Sequence, residues 1–81
     1  MIQVGQFFKK GNKEYGLLDV IEYNNQNYFY FSVEENGKVD YEFYILKSFD
    51  KNEGYDFGLV EDKNLFNELF AIEVERIKAE I

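Results

Sequence analysis

From Tyr28 to Lys47 the side chains alternate with period two, twice, around Glu35-Asn36-Gly37, a pattern that an antiparallel β-hairpin satisfies and a helix does not. Phe29, Phe31 and Val33 alternate with Tyr28, Tyr30 and Ser32, and Val39, Tyr41, Phe43 and Ile45 alternate with Asp40, Glu42 and Tyr44. Loop length then sets the register. A two-residue Asn36-Gly37 loop places Phe31 opposite Glu42 and Val33 opposite Asp40, which puts carboxylates into an apolar row. A three-residue loop of Glu35, Asn36 and Gly37 pairs Val33 with Val39, Phe31 with Tyr41 and Phe29 with Phe43, and leaves Gly37 at the left-handed position. A slip of one residue turns every side chain to the other face, so the register with clean faces is the expectation.

Around this hairpin, Ile2, Val4 and Phe8 suggest a short first strand ending in the Lys9-Lys10-Gly11-Asn12-Lys13 turn. Tyr15 to Tyr23 reads as a strand bounded by Asn24-Asn25-Gln26-Asn27, with Tyr23 opposite Tyr28, Val20 against Phe31, Leu18 against Val33, Ile21 beside Tyr30 and Asp19 beside Ser32. After a polar loop from Ser48 to Gly54, Tyr55, Phe57 and Leu59 alternate as a last strand. From Asp62 the period becomes helical, with Phe66, Leu69, Phe70, Val74, Ile77 and Ile81 in one stripe and Asp62 as N-cap. The expected fold is α+β, a single domain over 1–81. Four to five meandering antiparallel strands lie within 2–60, and one C-terminal helix at about 62–80 packs on one face. That face is expected to carry Leu18, Val20, Phe29, Phe31, Val33, Val39, Tyr41, Phe43 and Ile45.

A chain of 81 residues buries only about 60 per cent of its unfolded surface, so its core is small. Nine Phe and seven Tyr supply the apolar area. With no Cys and no His, thiolate nucleophiles, disulfides, the commonest zinc ligands and the usual general base are missing, which argues against an enzyme. No cofactor is expected. A calcium loop could be drawn through Asp50, Asn52, Asp56 and Glu61, but Tyr55 stands where the sharp turn demands Gly, so no metal site is expected either.

The net charge of −7 is uneven: residues 1–16 hold three Lys against one Glu, 17–60 nine acidic against three basic, and 61–81 six against three. Such a surface repels nucleic acid and anionic lipid, and it suits a basic protein as well as it suits plain solubility. The first residues show neither the basic head nor the apolar run of a secretory signal, and no stretch nears the ~18 apolar residues of a membrane span, so the expected location is cytoplasmic.

On the expected outer face, Ile21, Tyr23, Tyr28, Tyr30 and Tyr44 are fringed by Asp19, Asp40 and Glu42, a tyrosine cluster that is either covered or a contact surface. The candidate partner-binding residues are therefore Tyr23, Tyr28, Tyr30, Tyr44, Asp19, Asp40 and Glu42. Glu73 falls inside the helix stripe, which implies a wet edge, an i,i+3 reach from Arg76, or a helix that overhangs the sheet to meet a partner.

The run from Leu17 to about Phe70 resembles a family of short acidic bacterial proteins, domain of unknown function 1292. Leu17-Leu18-Asp19-Val20-Ile21-Glu22, Asn27-Tyr28-Phe29-Tyr30, Phe43-Tyr44-Ile45-Leu46-Lys47, and Leu59-Val60-Glu61-Asp62 followed by Phe66 carry the likeness. The resemblance implies a small soluble cytoplasmic α+β domain and brings no activity or site residues. The function expected from the residues is a non-enzymatic acidic module, a monomer or weak homodimer, docking a basic surface of another protein such as a nucleic-acid-binding one. The alternatives are an inhibitor that imitates nucleic acid and, less fitting, a hydrolase working through Asp40 and Glu42.

Overall fold

The computed structural model describes residues 3–50 and 54–80. Five strands, β1 (Phe7–Lys10), β2 (Lys13–Tyr23), β3 (Gln26–Glu35), β4 (Lys38–Asp50) and β5 (Gly54–Leu59), form one antiparallel sheet in sequence order, and one helix, α1 (Lys63–Glu80), follows. The meander and the α+β arrangement are those expected from the sequence.

Three hairpins close with two-residue turns. Asn24 and Asn25 both have positive φ (52° and 63°), as do Asn36 and Gly37 (54° and 80°), whereas only Gly11 of the Gly11-Asn12 pair does (64°). These are the signs of mirror-image turns, whose twist matches that of the strands they join. The three-residue loop at Glu35, Asn36 and Gly37 and the four-residue loop at 24–27 are therefore corrected. Ile21 faces Tyr28 and Val20 faces Phe29, while Phe31 lies opposite Glu42, Val33 opposite Asp40 and Phe29 opposite Tyr44. Relative to the expected register, β4 is turned over.

The turned strand is stable because each face of the sheet carries a buried core. On one face, Leu17, Phe29, Phe31 and Val33 are buried and pack with Phe8, Tyr15, Val20, Tyr44, Leu46 and Phe57. Phe8 on β1 and Phe57 on β5 would stand about 19 Å apart across four strand spacings of a flat sheet. Their ring centroids lie 6.4 Å apart, so the sheet curls into a half-barrel with this face inside.

On the outer face, Ile21, Tyr30, Phe43 and Leu69 form a second core with Tyr23, Tyr28, Val60, Leu65, Phe66 and Ile72 around it. The helix thus packs on the tyrosine side, not on the Phe29–Phe31–Val33 row. Tyr41, Phe43 and Ile45 belong to this outer face, opposite Ser32, Tyr30 and Tyr28.

Leu18 is also displaced from its expected inner place. The pairing shifts between Leu17 and Asp19, and the extra residue of this bulge puts Leu17 against Phe31 at 1 % exposure while Leu18 points to solvent. Asp62 caps α1 as expected, accepting from Asn64 N at 2.9 Å and Leu65 N at 3.2 Å through Oδ1. The docked side of the helix is Leu65, Phe66, Leu69, Ile72 and Glu73; Phe70 stacks on Phe66 and stays exposed, as does Ile77. Glu73 is 5 % exposed, so the stripe is dry there.

Candidate functional site

The seven candidate residues do not share a surface. Tyr23, Tyr28, Tyr30 and Asp19 lie on the outer face beneath or beside the helix, whereas Tyr44, Glu42 and Asp40 lie on the inner side, in register with Phe29, Phe31 and Val33. Tyr30 is buried, its ring packed on Phe43 and stacked with Tyr41. Tyr23 donates to Glu68, and Asp19 binds Arg76 at 3.2 Å while the same guanidinium donates to Val20 O at 2.9 Å. These contacts clamp the helix to β2. Asp40 stays exposed at the sheet's end.

What the helix leaves bare is the other end of the outer face. Phe7, Gly16, Ser32 and Tyr41 form one row across β1 to β4, and Lys9, Glu14, Glu34 and Val39 form the next. A Cβ on Gly16 would fall 2.6 Å from Phe7 Cε1 and 3.0 Å from Ser32 Oγ, so the Phe7 ring lies across the bare glycine. Phe7, Tyr41 and Val39 are 66 %, 52 % and 50 % exposed. These large apolar side chains stand open on one face, with Glu14 and Glu34 in the neighbouring row. The Asn-Gly turn signal could have found this row: read as a two-residue loop, it sends Tyr41 outward.

Inside the half-barrel, each strand sends a ring to one place. Phe8, Tyr15, Phe31, Tyr44 and Phe57, with Lys10, line a cleft of about 50 Å³. Phe31 stands nearly perpendicular to the other four rings, at 75° to 88°. The Tyr44 hydroxyl donates to Glu42 Oε1 at 2.9 Å, which gives the carboxylate opposite Phe31 a partner and resolves the objection to this register.

Three phenols are pushed above their ordinary value of 10.0. For Tyr44 the causes are burial, then the hydrogen bond to and charge of Glu42; for Tyr30, burial and then the charge of Glu73; for Tyr23, foremost the hydrogen bond to Glu68. The unfolded chain releases these protons near pH 10 while the folded one retains them, so the stability they confer is complete below pH 10 and falls as pH rises through their folded values. Urea unfolding at pH 8 and pH 11 is expected to show a loss of stability at the higher pH that shrinks in Tyr44→Phe and Tyr30→Phe; a loss as large in both variants as in the unsubstituted protein would contradict this assignment.

Among the described residues, no three carboxylates are grouped to hold a metal ion. The loop of the calcium reading lies partly outside them, and Asp56 sits in strand β5. Among the described residues, no helix is long and apolar enough to cross a membrane. Comparison of the chain with protein-family models, with curated proteins and with solved structures gives no match.

Proposed function

We propose that this chain is a non-enzymatic acidic module of the cytoplasm, monomeric or weakly dimeric, that docks a basic surface of another protein through Phe7, Tyr41 and Val39 with Glu14 and Glu34 at their edge. The observation that carries this reading is the bare half of the outer face, where two rings and a Val stand in solvent on the sheet. Aromatic rings there supply contact area at low entropic cost, and a body of net charge −7 steers a cationic partner toward them. A nucleic-acid-binding protein presents such a basic surface. Imitation of nucleic acid itself has less support. It needs uninterrupted rows of carboxylates, but Lys9 stands beside Glu14 in the row and Asp19 is held by Arg76.

The test uses immobilised protein in native cell extract, with partners compared across variants. Capture of a basic protein that is lost with Phe7→Ser/Tyr41→Ala, weakened and less salt-sensitive with Glu34→Lys, and retained with Phe70→Ser supports the reading. For a central anchor, Tyr41→Ala is expected to weaken binding by roughly 2 kcal/mol, mainly by faster dissociation. Retention of every captured protein by the double variant would sink it.

A further inference from the structure

The inner cleft lies on the opposite face of the sheet from the proposed docking row, so the two sites can be tested separately. The mouths of barrels are common places for ligands, and this one receives at least one side chain from each of the five strands. Phe31, at 1 % exposure, is its floor, and the half-buried rings of Phe8, Tyr15, Tyr44 and Phe57 stand about it as walls. Phe8 is nearly parallel to Tyr15 (11°) and to Phe57 (15°), so the walls are ordered.

Its size excludes much. At about 50 Å³ the cleft exceeds the ~10–15 Å³ that one water needs and falls far short of the ~300 Å³ and more of a drug-sized site. A small head group fits; a whole cofactor does not. Ring faces are the negative part of each aromatic quadrupole, and the Glu42 carboxylate lies 2.9 Å from the hydroxyl of Tyr44, one of the residues that line the cleft. Both features favour a cation. Among the described residues, the only cation that lines the cleft is Lys10, two residues beyond Phe8 on the same side of β1.

We infer that the half-barrel mouth is an aromatic box for an alkylammonium group, of the kind carried by a free or methylated lysine side chain or a small primary amine, and that Lys10 is its built-in competitor. The rings that line the cleft and the Glu42 carboxylate beside Tyr44 attract the incoming ammonium, and Lys10 repels it. Lys10 therefore sets the threshold for entry. The sign of its effect separates this site from one for an anion, in which Lys10 would be the recognising group.

The probe is butylammonium, titrated against the intact protein by NMR of the aromatic ring protons, with butanol as the neutral control of similar shape. Shifts at Phe8, Tyr15, Tyr44 and Phe57 are expected with butylammonium, and about ten-fold weaker binding with butanol. Lys10→Ala should tighten butylammonium binding and Glu42→Gln should weaken it, each with the folded spectrum retained. A parallel titration with N-acetyl-trimethyllysine amide assigns the source: tighter binding than butylammonium points to a modified protein side chain, weaker binding to a free amine. Equal binding of butanol and butylammonium, or weaker binding in Lys10→Ala, would overturn the inference.

Discussion

Phe31→Ala is expected to lower the free energy of unfolding by about 3–5 kcal/mol, the largest effect of any single truncation on the inner side of the sheet. Phe31 is 1 % exposed, and its ring meets those of Phe8, Tyr15, Tyr44 and Phe57 within 6.0 Å, so no neighbour can close the cavity without the half-barrel opening. For a domain whose total stability lies at the low end of about 5–15 kcal/mol, this is most of what holds it folded. Urea unfolding at pH 7 measures it directly. Val39→Ala, at a half-exposed position of the outer face, is the comparison and should change stability by less than about 1 kcal/mol. Similar losses in the two variants would mean that the curl of the sheet is described wrongly.

Phe43→Ala is expected to cost a similar ~3–5 kcal/mol for a different reason. Phe43 is 0 % exposed and sits between Tyr30 at 4.6 Å and Phe66 of α1 at 5.3 Å, so its removal takes out the seat of the helix and leaves the inner core intact. An 18-residue helix has little stability of its own in water and depends on that seat. Hydrogen exchange separates the two variants. In Phe43→Ala the amides of α1 should lose protection well before those of β2 and β3, whereas in Phe31→Ala helix and sheet should lose it together. Helix protection that falls only in step with the sheet in Phe43→Ala would remove this account.

The strands, their meander order and the capped helix were legible because each rests on local chemistry: alternation in 28–47, amide-rich turns, and Asp62 ahead of a three-four stripe. The faces were not. A hairpin wet on one side makes Glu42 opposite Phe31 unacceptable and so favours a loop one residue longer than Asn36-Gly37. A sheet with a buried core on each face removes that objection, because Tyr44 supplies the hydrogen bond Glu42 needs. From that one residue followed the displaced tyrosines, the wrong seat for α1 and the missed exposure of Tyr41. Leu18 failed for a separate reason, since no side-chain pattern announces a bulge that exchanges Leu17 for its neighbour.

The sequence-ordered sheet also governs how the chain reaches its native state. Each strand finds its partner next to it in the chain, and three of the ladders begin from a two-residue turn, so hairpins can add one after another with little loop entropy lost at each addition. The contacts that seat α1 instead join residues 45 and 56 apart, Tyr23 with Glu68 and Val20 with Arg76. Assembly of the sheet should thus be the early event and helix docking the late one, and until it docks, Ile21, Tyr30 and Phe43 face water. In a crowded solution that interval, rather than the finished molecule, is when this chain is most exposed to aggregation.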